Sequence, residues 1–161
     1  MKKRLFCLLL SITLLFTGCS TPSEPVQQTT AASSAPFVLI HTSDGDIEPY
    51  RHFRSAHSWE EHGWLAACGS TVYTALPSIC DELPTVTYSK AFGISYGENI
   101  SYYRLDIFNE GLQYTDYTEL ATLPQGTYYI SIEVTKQGDY IAAGKDYERF
   151  GYAAVFRLEM P

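Results

Sequence analysis

Apolar and polar residues alternate with a period of two over much of the second half of the chain. The pattern is clearest at residues 127–135, where Tyr128, Ile130, Ile132 and Val134 occupy alternate positions. Successive side chains of a β-strand point to opposite faces, so this pattern predicts a strand with one buried and one exposed face. We expect these four residues to face the core.

The same alternation predicts further strands. Residues 101–108 place Tyr103, Leu105 and Ile107 on one face, and residues 151–160 alternate in the same way. Short β-branched or aromatic runs bounded by Gly, Pro or Asn predict other strands at residues 37–40, 64–68, 85–89 and 92–96. Beyond the N-terminal segment, no long stretch has helical periodicity. Many short strands separated by turns predict an all-β fold, an antiparallel β-sandwich.

The N-terminal segment has a different character. A basic start precedes the apolar residues 5–16, and Thr17 and Gly18 precede Cys19. This arrangement resembles the signal peptide and lipobox of bacterial lipoproteins, and the resemblance implies cleavage before Cys19 and lipidation of its thiol. A plain secretory peptide with a chance cysteine is the alternative. The apolar stretch is shorter than the about 20 residues that a membrane-spanning helix needs.

We therefore expect three parts in the chain. Residues 1–18 are the signal peptide, residues 19–36 are the lipidated cysteine with a flexible tether, and residues 37–161 are the β-sandwich domain. The tether is rich in Ser, Thr, Pro, Gln and Ala, and a flexible coil of this length reaches roughly 20 to 25 Å. Lipid on Cys19 is expected to hold the domain on the extracytoplasmic face of a cell membrane.

The charge of the chain excludes some partners. Without the signal peptide, eight Lys or Arg face 18 Asp or Glu, which gives a net charge of −10. No cluster of Lys or Arg follows residue 4. Nucleic acid is therefore not an expected partner, and affinity for a membrane must come from the lipid anchor.

A turn motif precedes the clearest strand. Residues 123–128 read Leu-Pro-Gln-Gly-Thr-Tyr, where Pro124 and Gly126 favour a turn directly before the strand. This motif resembles one in bacterial immunoglobulin-like domains. In residues 49–50, 59–66 (WEEHGWLA), 81–84, 123–134 and 151–158, the chain resembles the extracytoplasmic C-terminal domain of clostridial antirepressor-type metallopeptidase membrane proteins, which are similar to β-lactam sensors. The resemblance covers most of the domain and implies an immunoglobulin-like sandwich with a sensing or envelope-binding role.

Motifs of known enzymes are incomplete in this sequence. Residues 93–97 match G-x-S-x-G around Ser95, but a nucleophile elbow needs a helix after the serine and a histidine later in the chain. Here a strand is predicted at Ser95, and all four histidines precede it. The sequence has no Ser-x-x-Lys and no H-E-x-x-H motif, so neither acylation by β-lactams nor metallopeptidase activity is expected. We expect no catalytic residues and no cofactor.

Two segments, one rich in histidine and one acidic, are weak candidates for metal binding. His52, His57 and His62 recur every five residues, which matches neither one helix face nor a usual ligand hairpin, so they read as loop histidines. Residues 43–48 resemble half of a calcium loop, but Pro49 follows where glycine is required. A surface turn is expected there, and no metal site is predicted.

Two cysteines remain in the domain, Cys68 and Cys80. Outside the cytoplasm such a pair is compatible with a disulfide, but spacing does not show that the two residues approach each other. Two free thiols are the alternative.

Residues 136–151 exceed the length that a hairpin turn needs, and they read as a long connection. Tyr140, Tyr147 and Phe150, with Tyr152 just after, are interleaved with charges of both signs. Aromatic rings among mixed charges suit contact with a protein or an envelope glycan, so these four residues form the predicted partner-binding edge. The alternative is that the rings fold back and cap the sandwich.

The sequence as a whole predicts a non-catalytic binding or sensing module, anchored by lipid in a bacterial, Gram-positive envelope. An immunoglobulin-like protease inhibitor is a second hypothesis, because some bacterial inhibitors use a similar turn. A metal-dependent or serine hydrolase is a third, and it requires a set of catalytic residues that sequence spacing does not assemble.

Overall fold

The structure is a computed structural model that describes residues 37–161. The predicted signal peptide, the tether and Cys19 lie outside the described residues. Strands β1 to β9 are, in chain order, Val38–Thr42, Gly45–Ile47, Tyr50–Glu60, Gly63–Cys68, Thr85–Thr87, Gly93–Tyr96, Ile100–Asn109, Gly126–Ile141 and Asp146–Met160. Helix α1 is Val72–Ile79, and short 3-10 helices form at Cys80–Glu82 and Leu120–Thr122. No helix in this part of the chain is long and apolar enough to cross a membrane.

The strands form two sheets. The smaller sheet has the order β2-β1-β6, and the larger has the order β4-β3-β9-β8-β7, with β5 pairing in parallel with β9. All other pairs are antiparallel. The predicted all-β, antiparallel sandwich is therefore confirmed.

The main core lies between the two sheets. Tyr128, Ile130, Ile132 and Val134 of β8 are buried, as the alternating pattern predicted. They pack in one cluster with Val38 and Ile40 of β1, Val86 of β5, and Phe156 and Leu158 of β9. Burial of such side chains stabilises the fold by about 1.5 to 3 kcal/mol each.

Helix α1 covers part of the opposite face of the larger sheet. Its Val72, Leu76 and Ile79, spaced i, i+4 and i+7, pack against Ala153 and Val155 of β9. The side chain of Thr71 caps the helix by accepting a hydrogen bond from the N–H of Thr74. The expectation that this face is exposed was wrong over the central strands, because a short helix with an apolar stripe buries it.

Two β-bulges interrupt the larger sheet. The register of β3 shifts between Phe53 and Ser55, and that of β7 shifts between Tyr102 and Arg104. The extra residue in β7 is Tyr103, which is 71% exposed. Its predicted place in the core was wrong, because a bulge changes the face to which a side chain points.

The segment predicted as a long connection is a paired hairpin. Strand β8 continues to Ile141 and β9 begins at Asp146, so residues 142–145 form the turn. Lys136 pairs with Phe150, and the pairing continues to the turn with one register shift. We call residues 136–150 the hairpin arm. Its length is explained by β-pairing, which the mixed polar and aromatic sequence did not indicate.

Candidate functional site: a polar groove on the larger sheet

A groove lies on the helix-bearing face of the larger sheet, beside the N-terminal end of α1. It encloses about 420 Å³. Residues from five strands and the helix cap line it, among them Arg54, Ser55, Cys68, Thr71, Tyr103 and Glu133. We call this feature the groove.

The two bulges place side chains in the groove. Ser55 pairs with Gly151, and the bulge brings the preceding residue, Arg54, to the same side as Ser55. The bulge of β7 likewise brings Tyr103 to the side of Arg104. β-Bulges often stand next to functional sites because they redirect side chains. Here two separate bulges direct Arg54 and Tyr103 into one groove.

A network of charges forms one wall of the groove. Glu133, only 8% exposed, lies on β8, between β9 and β7. Its Oε1 is 3.1 Å from Nε of Arg54 and 3.3 Å from Nη2 of Arg104. The Arg54 Nε–H lacks hydrogen-bond alignment among the described residues, so that contact is an ion pair. Nη1 of Arg54 donates to the carbonyl of Ser70, at 2.7 Å, which fixes the guanidinium.

The network is electrically balanced. Arg104 also lies 2.9 Å from Oδ2 of Asp106, so two arginines face two carboxylates. Burial lowers the pKa of Arg104, but the charges of Asp106 and Glu133 raise it, and the net result is a pKa above the usual value. Arg104 therefore keeps its charge at neutral pH. A ligand of the groove meets fixed polar groups without a large net charge.

Glycine keeps the floor of the groove open. A Cβ on Gly151 would collide with Oγ of Ser55, and one on Gly69 would collide with the carbonyl oxygen of Phe53. Only glycine permits this close approach of backbone and side chain.

The groove continues into aromatic residues along the same face. Ser55, His57 and Trp59 alternate on β3 and therefore share that face, and Trp59 lies opposite Trp64 of β4. The rings of Trp59 and Trp64 meet edge to face, with centroids 5.4 Å apart. His57 also contacts Trp64, at 4.4 Å between centroids. One surface thus runs from a polar groove to a pair of tryptophans.

The structure separates the four aromatic residues of the predicted partner-binding edge. Tyr140 and Tyr147 lie opposite each other on the hairpin arm, 53% and 41% exposed, with ring centroids 4.9 Å apart. Phe150 is half-buried, and Tyr152 is half-buried against the main core. The first two remain available to a partner, whereas Tyr152 matches the alternative of a ring that caps the sandwich.

The remaining residues singled out by sequence are dispersed. Cys68 and Cys80 are free thiols, the former at the end of β4 and the latter after α1. His52 and His57 lie in β3, and His62 lies in the β3–β4 turn, so the expectation of loop histidines was wrong for two of them. Within residues 37–161 no group of three or more His, Cys, Asp or Glu side chains could hold a metal ion.

The serine of the G-x-S-x-G motif lies in β6, on the smaller sheet. Its Oγ is 2.8 Å from Nε2 of His41, and Nδ1 of the same ring is 2.6 Å from Oδ1 of Asp46. The prediction of a strand around Ser95 is confirmed. His41 precedes Ser95 in the chain, contrary to the order of the G-x-S-x-G motif, yet it reaches the serine because β1 and β6 pair antiparallel.

No family model matches this chain, and neither a curated protein nor a solved structure matches it. The class defined by the fold is an all-β antiparallel sandwich with one covering helix. Its functional assignment rests on the groove and on the sequence.

Sequence reasoning missed the groove residues Arg54, Glu133 and Tyr103. Glu133 looked like an ordinary polar position of a strand, Tyr103 looked like a core residue, and no strand was predicted at Arg54. One signal was present: Glu133 is the only charged residue of 127–135, between Ile132 and Val134. A charge there needs a partner of opposite sign if both faces are covered.

Proposed function

We propose that this chain is a lipid-anchored, extracytoplasmic binding module of a bacterial envelope, and that the groove binds an envelope glycan. The proposal is supported above all by the two β-bulges, which direct Arg54 and Tyr103 into the same groove. Bulges interrupt sheet pairing, so two of them at one place indicate a role beyond stability.

The chemistry of the groove suits a polar ligand of low charge. Tyr103 offers a wide exposed ring that can cover the apolar face of a sugar, with a hydroxyl at its tip. Ser55 and Thr135 add hydroxyls that both donate and accept hydrogen bonds. The balanced charges of the arginine network supply fixed polar groups at low cost in ordering, because partners within the protein already hold them.

The length of the surface suits a chain of several units. From Ser55 the same face passes His57 to reach Trp59, four residues along β3, which corresponds to about 13 Å of strand. Tyr147 lies two residues from Arg149, which pairs with His57, so it shares this face. A glycan chain could contact Tyr103 at one end and the tryptophans at the other.

The N-terminal sequence supports binding close to the membrane surface. Lipid on Cys19 would hold the domain near the membrane, and the tether would give it a range of roughly 20 to 25 Å. A module tethered in this way meets the innermost layer of the cell wall.

Sedimentation with purified peptidoglycan sacculi tests the proposal. The full chain, solubilised in detergent, is mixed with sacculi from a Gram-positive bacterium, and bound protein is measured in the pellet. We expect wild-type protein to sediment and Tyr103→Ala to lose about tenfold or more in affinity, since aromatic anchors dominate binding energy.

Tyr102→Ala is the matched control. Tyr102 is the neighbouring residue and is also exposed, but it pairs with Val134 and lies on the opposite face from the groove. We expect its binding to equal that of wild type. Equal binding by wild type and Tyr103→Ala would contradict the groove as the binding site, and failure of wild type to sediment would contradict the glycan as the ligand.

A further inference from the structure

Three strands of the smaller sheet bring Asp46, His41 and Ser95 together. His41 of β1 pairs with Asp46 of β2 on one side and with Gly93 of β6 on the other. Ser95 lies two residues after Gly93 and shares its face of the sheet. Because Gly93 has no side chain, the imidazole lies over it and reaches Ser95 on the diagonal; a Cβ on Gly93 would stand 3.6 Å from Cδ2 of His41.

Each nitrogen of the imidazole has a different partner. Oδ1 of Asp46 is 2.6 Å from Nδ1, so the carboxylate accepts the Nδ1–H bond and fixes the tautomer. In the tautomer with its proton on Nδ1, Nε2 is an acceptor, and Oγ of Ser95 donates to it over 2.8 Å. These are the roles of acid, base and nucleophile in a serine triad, which is recognised by geometry and not by order in the sequence.

The triad is accessible from solution. Asp46 is exposed and His41 and Ser95 are partly exposed, because they lie on the face of the smaller sheet opposite the apolar core residues Val38 and Ile40. Simple structural pairing would explain one cross-strand hydrogen bond. Two bonds that use both nitrogens of one ring and end on a serine place a hydroxyl next to an oriented base.

The edge of the sheet provides a hydrogen-bond donor beside the serine. β6 is an edge strand of the smaller sheet. The N–H of Gly97, just after β6, points toward β1 and donates to the carbonyl of Phe37. Since N–H groups of an antiparallel strand point alternately to the two sides, the N–H of Tyr96 points to the open edge. The residue after the nucleophile is the one that donates to the oxyanion in serine hydrolases of the G-x-S-x-G type.

We propose that Ser95 is a nucleophile that accepts acyl groups from activated esters, with His41 as its general base and Asp46 as the residue that positions the imidazole. Oγ of Ser95 bonds to the ester carbonyl carbon while its proton passes to Nε2 of His41. The bond from that carbon to the alcohol oxygen breaks, and His41 returns the proton to the leaving alcohol. Water then attacks the acyl-serine in the same way and regenerates Ser95.

Small, activated acyl donors are the substrate class that this site fits. Its three side chains lie on an open sheet surface, separate from the groove on the larger sheet. Such a surface gives little binding energy to a substrate, so the leaving group must supply the reactivity. The inference is independent of glycan binding, since it uses none of the groove residues.

Labelling with a fluorophosphonate probe tests the nucleophile. Oγ of Ser95 would bond to phosphorus and fluoride would leave, and peptide mapping by mass spectrometry of the full chain would locate the adduct. We expect one adduct, on Ser95, and none on Ser95→Ala. Ser43→Ala is the matched control, because Ser43 lies in the exposed turn between β1 and β2, and its labelling should equal that of wild type. An adduct elsewhere, or none in wild type, would overturn the proposal.

Ester hydrolysis tests the roles of His41 and Asp46. With p-nitrophenyl acetate, His41→Ala should lower the acylation rate about 100-fold, and added imidazole should restore part of it, since a general base contributes 10² to 10⁴ in rate. Asp46→Asn should lower kcat about tenfold or more with little change in KM. Circular dichroism checks that each variant is folded. Folded variants with wild-type rates, or no imidazole rescue, would show that the three residues are only structural.

Discussion

The ring of Tyr152 stacks on the ring of Phe37, with centroids 4.6 Å apart and an angle of 24° between the planes. The guanidinium carbon of Arg51 lies 3.8 Å from the centroid of the Phe37 ring. Tyr152 is therefore part of the packing that closes this end of the core. The stacking on Phe37 predicts that substitution of Tyr152 lowers stability more than substitution of the exposed Tyr147.

Tyr152→Ala should lower the free energy of unfolding by about 2 to 4 kcal/mol, because it removes the stacked ring and leaves a cavity at the edge of the core. Tyr147→Ala is the control, since Tyr147 is exposed on the hairpin arm. It should change stability by less than about 0.5 kcal/mol. Urea denaturation measures both. Equal effects would contradict the separation of the two tyrosines.

Ile132→Ala should cost about 2 to 4 kcal/mol, because Ile132 is 1% exposed at the centre of the main core. Leu65→Ala is the control, because Leu65 is an exposed aliphatic residue on the edge strand β4. It should have little effect on stability. Chemical denaturation with an unchanged m-value would measure the difference. A cost below about 0.5 kcal/mol would mean that the core lies elsewhere.

Ser131→Ala should leave stability unchanged or raise it slightly. The hydroxyl of Ser131 is fully buried and lacks a hydrogen-bond partner within the described part of the chain. Removing a desolvated polar group that makes no hydrogen bond loses little, and the smaller side chain leaves only a small space. Comparison of melting temperatures by calorimetry checks this. A loss above about 2 kcal/mol would indicate that the hydroxyl does have a partner.

The turn of the hairpin arm should weaken in acid. The N–H of Tyr147 and the guanidinium of Arg149 both donate to the carboxylate of Asp146, at 2.8 and 2.7 Å. These bonds lower the pKa of Asp146 in the folded state. A lowered pKa means that this stabilisation is present above the pKa of the unfolded chain and is lost as pH falls through the folded value.

Asp146→Asn isolates this effect. We expect the melting temperatures of wild type and variant to differ at neutral pH and to converge as the pH falls through the lowered folded-state pKa of Asp146. Because Asp146 is exposed, the difference should be small. A constant difference at both pH values would contradict the assignment to its charge.

Cys19→Ala should release the protein from membranes or block its maturation, because the lipid is expected on that thiol. Mass spectrometry of the mature N-terminus, with and without a signal peptidase inhibitor for lipoproteins, measures the modification. Cys80→Ala, at a free thiol outside the groove, is the control and should leave membrane association unchanged. An unmodified mature protein that begins at another residue would contradict the lipoprotein hypothesis.

The period-two pattern was sufficient to predict the sandwich and its main core. It identified Ile130, Ile132 and Val134 because these lie on a regular strand with one face against the second sheet. The pattern also placed the turn before β8, where Gly126 adopts a φ of +151° that other residues resist. Local sequence carries this information, since it depends on neighbouring residues alone.

Three features could not be predicted from the sequence because they depend on residues that are distant along the chain. Tyr103 has the spacing of a core residue, and only the register of β7 against β8 reveals the bulge. Residues 136–150 lack apolar alternation, so their sequence resembles a loop. Pairing between β8 and β9 makes them strands. His41 reaches Ser95 across 54 residues of chain through the pairing of β1 with β6, which spacing along the chain does not indicate.

The position of β9 in the larger sheet has a consequence for biosynthesis. β9 pairs with β3, β8 and β5. The β3–β9 pairing, in which Tyr50 lies opposite Val155, can therefore form only after β9 has been synthesised. β3 and β5 therefore lack their β9 partner until residues 146–160 have emerged, and contacts of such long sequence separation form slowly. In the proposed export of this chain, the larger sheet would therefore close only after residues 146–160 have crossed the membrane, on its far side.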